Sequence, residues 1–102
     1  MRKTDKKIDN AIIEALTEVC ESALKQYSGF LWLSHLVNYT HFPRSLQVIC
    51  VFDSEEYLSQ FNAHPNQREL RTLIKQRLSE IGVAINDKQV TFVTKDQWRK
   101  YH

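Results

Sequence analysis

The run LQVICVF, Leu46 to Phe52, is apolar on both of the faces that a strand would present. Successive side chains of a strand point to opposite sides, so Leu46, Val48, Cys50 and Phe52 share one face and Ile49 and Val51 the other. A strand covered on both faces belongs inside a sheet, because an edge or half-solvated strand alternates polar with apolar residues. Asp53, Ser54, Glu55 and Glu56 follow at once. Asp53 with Glu56 is an acidic form of the capping box, and Phe52 and Tyr57 occupy the flanking staple positions. The central strand 46–52 therefore feeds a short helix that ends near Ala63.

The remaining elements arrange themselves around that strand. Ile8, Ile12, Leu16, Val19, Cys20, Ala23 and Tyr27 recur at helical spacing, with Glu14, Glu18, Glu21 and Lys25 opposite, which predicts a helix from Asp5 to Tyr27. Thr4 is its expected N-cap and Gly29 its left-handed terminator. Phe30 to Thr40, rich in aromatic and branched residues, reads as a strand. Leu31, Leu33, His35, Val37 and Tyr39 take one face; Trp32, Ser34, Leu36, Asn38 and Thr40 take the other. HFPRS turns the chain into the central strand, making the two an antiparallel hairpin.

Beyond Ala63, Asn66 with Glu69 repeats the capping pattern ahead of Leu70, Leu73, Ile74, Leu78 and Ile81, a helix stopped by Gly82. INDK leads into a last strand, Gln89 to Thr94, with Val90 and Phe92 on one face and Thr91 and Val93 on the other. The order is α-β-β-α-α-β. Two helices between the second and third strands form a crossover, so those strands should be parallel. The expected fold is α+β, a three-stranded mixed sheet with helices on one face and strand 46–52 in the middle. All 102 residues are expected to form a single domain, with 1–4 and 96–102 expected as flexible tails.

Several functional classes find no support in the side chains. Cys50 is in phase with the apolar residues around it and reads as core; Cys20 lies in the apolar stripe of the first helix. A nucleophilic thiol needs an adjacent base and partial exposure. His35, His41, His64 and His102 have no zinc-ligand spacing, and along one strand His35 and His41 would stand roughly 20 Å apart. They read as surface or turn residues. The acids at 53–56 are explained by the four unpaired N–H groups and positive end of a helix start. No catalytic constellation, metal site, cofactor motif or small-molecule substrate site is expected, and the chain reads as non-enzymatic. No apolar run is long enough to span a bilayer, and no secretory leader is recognisable, so a cytoplasmic setting with reduced thiols is expected.

Two surfaces remain. Arg68, Arg71 and Lys75 fall in one row of the third helix, away from its leucine stripe, and Arg99 and Lys100 lie beside Trp98 and Tyr101. Cations next to aromatics can grip a phosphate backbone and stack a base. The net charge of +2 is too mild to argue for nucleic acid by itself, so the distribution carries that reading. The second surface is the sheet face away from the helices. Trp32, Leu36, Ile49 and Val51 would form an apolar patch there, covered by the tail or by a second copy in a homodimer.

From the first helix through LVNYTHFPRSLQVICVFDSEE to LRTLIKQRLSEIGVAINDKQVTFVT, the layout resembles the type II KH fold, and within it bacterial ribosome-binding factor A. That resemblance implies an RNA- or ribosome-associated role. The helix–helix junction, NAHPNQ, departs from the KH pattern in carrying no GxxG loop. The segments MRKTDKKIDNAIIEALTEVCE and GFLWLSHLVNYTHFPRSLQVICVF also resemble a small proteobacterial family labelled Fis-like transcriptional regulators. Fis itself is all-helical, whereas β-rich segments at 30–52 and 89–94 predict a different fold. The expected function is a nucleic-acid-associated module meeting RNA or the ribosome, or acting as a transcription or translation accessory factor. The alternatives are a protein-interaction or homodimerisation domain using the open sheet face, and a DNA-binding regulator.

Overall fold

Among the described residues the backbone enters the left-handed region at Gly29 and Gly82, each at φ +82° and each in the turn that follows a helix. The computed structural model describes residues 3–63 and 65–100; His64, Tyr101 and His102, named above, lie outside them. In chain order the elements are α1 (Lys3–Gln26), β1 (Phe30–Leu36), a 3₁₀ turn (Tyr39–His41), β2 (Gln47–Phe52), α2 (Glu55–Ala63), α3 (Asn66–Glu80), a second 3₁₀ turn (Asp87–Gln89), β3 (Val90–Thr94) and α4 (Lys95–Arg99). The sheet order is β1-β2-β3, with β1 and β2 antiparallel and β2 and β3 parallel. The fold is thus the expected α+β arrangement with β2 central, and a fourth, short helix follows it.

The core forms where the periodicities place it. Ile12, Leu16, Val19, Ala23 and Tyr27 of α1 pack with Leu70, Ile74 and Leu78 of α3 over Val48, Cys50 and Phe52 of β2. Phe61 of α2 joins the aromatic side of this core, with Phe52, Tyr27 and Phe92 rings at centroid distances of 4.6, 5.1 and 5.1 Å. α3 closes with a Schellman motif: Val83 N–H donates to Leu78 O at 2.9 Å and Gly82 N–H to Ser79 O at 3.0 Å. Leu78 and Val83, both buried, supply the hydrophobic contact that accompanies it.

The structure corrects the expected boundaries where side chains compete for the backbone. α1 begins at Lys3, ahead of the expected cap at Thr4. β1 stops at Leu36, so Val37, Asn38, Tyr39 and Thr40 are not on the strand and His41 does not share it with His35. The cause is Asn38: its Oδ1 accepts from Thr40 N–H at 3.0 Å, closing a turn. Ser45 Oγ also accepts from Asn38 N–H at 2.9 Å and donates to Asn38 O at 2.6 Å. An irregularity between Phe30 and Trp32 turns Phe30 into the helix-side core beside Phe52, while Trp32 keeps the opposite face.

Both expected caps shift by one residue. Ser54, not Asp53, caps α2, its Oγ accepting from Tyr57 N–H at 3.5 Å. The Asp53 carboxylate instead takes Lys95 Nζ at 3.3 Å. Asn66 is the first residue of α3 rather than its cap, and Pro65 precedes it without a side-chain bond. Gln89, expected on the last strand, ends a 3₁₀ turn and acts as a clamp. Its Oε1 accepts from Asn86 N–H at 3.0 Å, and its Nε2 donates to Pro43 O at 2.9 Å and Leu46 O at 2.8 Å. The start of β3 is thereby tied to the β1–β2 connection.

Candidate functional site

The five basic residues singled out from the sequence do not form one solvated row. Arg68 is exposed, but Arg71 is half-buried against the edge of the sheet. Its guanidinium lies over the Phe92 ring, 5.1 Å from the centroid, and its Nη2 donates to Val90 O at 3.3 Å. The Arg71 Nε is buried with no hydrogen-bond partner. A desolvated cation over an aromatic face is worth more than an exposed one, on the order of 2 kcal/mol against 0.5–1. Arg71 is therefore held in place by β3 rather than free to sweep solvent.

Lys75, one turn further on, donates to Asp87 Oδ1 at 2.7 Å, which pins the second 3₁₀ turn to α3. That hydrogen bond holds the Asp87 carboxyl below its ordinary value. Arg99 stands 3.9 Å from Asp96 in a largely exposed pair. Lys100 is exposed and lines an open groove of about 360 Å³ with Phe92, Val93 and Gln97. Phe92 and Val93 point to opposite faces, so this groove wraps the outer edge of β3. The structure thus fixes Arg71 over the Phe92 ring, places Lys100 in the groove that Phe92 also lines, and takes Lys75 away into an ion pair. Phe92 was not singled out from the sequence. Its signal was there, an aromatic in a last strand that pairs on one side only.

The apolar patch expected on the open sheet face is largely covered. Ile49 and Val51 are fully buried and Val93 nearly so, beneath Trp32 and Trp98, whose rings meet edge-to-face at 6.4 Å. The tail residues that carry Trp98 form α4, whose start is a capping box. Thr94 Oγ1 accepts from Gln97 N–H at 3.2 Å and Gln97 Oε1 accepts from Thr94 N–H at 2.9 Å. Ile49 and Val51 are therefore interior residues and are withdrawn from the expected interaction face. Leu36 alone of the four stays well exposed, at 42%.

The chemistry-bearing side chains take structural places. Cys50 is fully buried, and burial pushes its thiol well above the ordinary cysteine value, so it stays protonated and packs as a small hydrophobe. His35, expected at the surface, is part-buried. Its Nε2 lies 3.1 Å from Asp9 Oδ1, which also accepts from the Tyr39 hydroxyl at 2.6 Å. The Tyr39 bond, then the His35 bond, hold the Asp9 carboxyl below its ordinary value. Burial, helped by Asp9, pushes the Tyr39 hydroxyl up. This cluster fastens α1 to the end of β1, and no sequence spacing announced it. Among the described residues no three His, Cys, Asp or Glu side chains are grouped to hold a metal ion, and no helix is long and apolar enough to cross a membrane.

Comparison with protein-family models, with curated proteins and with solved structures finds no match to this chain.

Proposed function

We propose that this chain is a non-enzymatic nucleic-acid-associated module that meets RNA, alone or on the ribosome, in preference to duplex DNA. The observation that carries the reading is the Arg71–Phe92 pair at the outer edge of β3, with Lys100 lining the groove beside the same ring. A fixed guanidinium over an aromatic, next to an exposed cation, offers a phosphate contact and a stacking surface at one place. Arg68, exposed one turn before Arg71 on α3, extends the cationic edge, and Arg99 adds to it from α4. Lys75 contributes less than its position in the row suggests, because Asp87 neutralises it. The layout resemblance to ribosome-binding factor A supports RNA as the partner. The two free cysteines are in keeping with a cytoplasmic setting.

A salt titration of binding to single-stranded RNA and to duplex DNA tests this. Arg68→Ala with Lys100→Ala leaves the fold intact, because both side chains are exposed, and should lower RNA affinity. The slope of log K against log salt should become shallower by about 0.7 for each single-strand phosphate that the variant no longer neutralises. Affinity and slope both unchanged, or equal binding of duplex DNA, would sink the reading.

A further inference from the structure

We infer that the outer edge of β1 is a docking site for an extended, basic segment of a partner protein, which adds to the sheet as a fourth strand beneath the flank of α1. This surface lies at the opposite sheet edge from Phe92 and does not depend on the nucleic-acid reading.

The two sheet edges are managed differently. At the β3 edge, Arg71 occupies the Val90 carbonyl. β1 reads FLWLSHL, with no Lys, Arg, Asp, Glu or Pro, and among the described residues no strand pairs with its outer side. Folded proteins normally blunt a bare edge with charge, proline or a bulge. The irregularity at Phe30–Trp32 affects one end, and the register from Trp32 to Leu36 is regular.

A groove accompanies the bare edge. α1 packs on α3 and on β1, and α3 on α2, so the helix order across the sheet is α1, α3, α2. Packed helices stand 8–10 Å apart and strands about 4.8 Å, so three helices are wider than three strands and the outer one overhangs. Beneath it lies a groove of about 200 Å³, roofed by Ile13, Thr17, Cys20 and Glu21 and floored by Leu33 and His35. Alternate side chains of a strand paired with β1 would project into that space. Those pointing the other way would meet Leu36 and Trp32.

Shape and charge choose the occupant. A second copy pairing antiparallel through the same edge keeps its helices on the same side of the sheet and would bring its own α1 into the same space, whereas a bare strand would not. Ile13 is 45% exposed and calls for an apolar side chain. Glu21 lines the groove, and Glu14, two turns earlier on the same flank, is exposed, so the next inward residue of the strand, two positions along, is basic. The same acids repel a phosphate backbone.

The test is an amide-shift NMR titration of the intact chain with a soluble heptapeptide, Val-Thr-Lys-Thr-Val-Thr-Lys, whose valines and lysines share one face of an extended strand. A glutamate-for-lysine version and a version with a central proline serve as controls. The lysine peptide should shift Leu31 to Leu36 together with Ile13, Thr17 and Cys20, and the proline version should bind at least tenfold more weakly. Glu21→Lys should reverse the preference between lysine and glutamate peptides. No shift with the lysine peptide, shifts outside this region, or indifference to the proline would overturn the proposal. Concentration-dependent shifts of the same amides without peptide would overturn it in favour of self-pairing.

Discussion

Gly29 carries two constraints and Gly82 one. Both sit at φ +82°, but a Cβ at Gly29 would also collide with the ring and Cβ of Tyr57, whereas nothing lies within 4 Å of a Cβ at Gly82. Gly82→Ala should therefore cost only the left-handed penalty, roughly 1–2 kcal/mol, measured by urea denaturation. Gly29→Ala should cost more, and a double-mutant cycle with Tyr57→Ala should recover the part of the excess due to the ring, but neither the clash with the Cβ that alanine keeps nor the backbone part. At the same scale, Asp9 and Tyr39 give the molecule a defined pH window. The Asp9 carboxyl is held below its ordinary 3.8, so its contribution is complete above that value and is lost as pH falls through the depressed one. The Tyr39 hydroxyl is held above its ordinary 10.0, so the folded state keeps a proton that the unfolded chain sheds, and stability falls as pH rises past 10.0. Denaturation midpoints should drop on both sides, with Asp9→Asn flattening the acid limb and Tyr39→Phe removing one share of the alkaline one, to which the buried Cys50 thiol also contributes.

Helix starts show how far local pattern reaches. The segment 53–56 announces a start, and α2 does begin there, yet the capping atom is Ser54 Oγ. Two adjacent candidates, Asp53 and Ser54, share the right chemistry, and the backbone chooses between them once Asp53 N–H is committed to Gly29 O at 2.9 Å and its carboxylate to Lys95. Ser54→Ala should cost about 0.5–2 kcal/mol, as for a lost cap. Asp53→Ala should cost less, because its ion pair is nearly half exposed, and exposed pairs contribute about 0–1 kcal/mol. Thermal denaturation of both variants checks the order. β1 teaches the same lesson. Its alternating residues continue to Thr40, but Asn38 and Ser45 offer the backbone a turn, and the strand ends at Leu36.

Across the whole molecule, the sheet keeps one covered face on each side by unequal means. Three helices cover one side. The other depends on a five-residue helix, too short to persist alone, and on Trp98 laid against Trp32. Trp98→Ala should lose at most about 3 kcal/mol of burial and uncover Ile49, Val51 and Val93. Light scattering should then show a mass that rises with concentration, while the native chain's mass does not change through this face.

The α-β-β-α-α-β order, the central place of β2 and the helix-side core were legible beforehand because each rests on contiguous residues: a period, a cap, a terminating glycine. These preferences act within a turn or a strand and need no distant partner. The fate of the basic row, the cover over the open face and the Asp9 cluster were not legible. Each is a meeting of side chains remote along the chain, such as Asp9 with His35 across 26 residues and Gln89 with Pro43 across 46. Which cation is buried against an aromatic, and which is left to solvent, follows from how the layers pack. Arg68 and Arg71 are the same residue type on one helix, and the edge of β3 makes one of them a fixture.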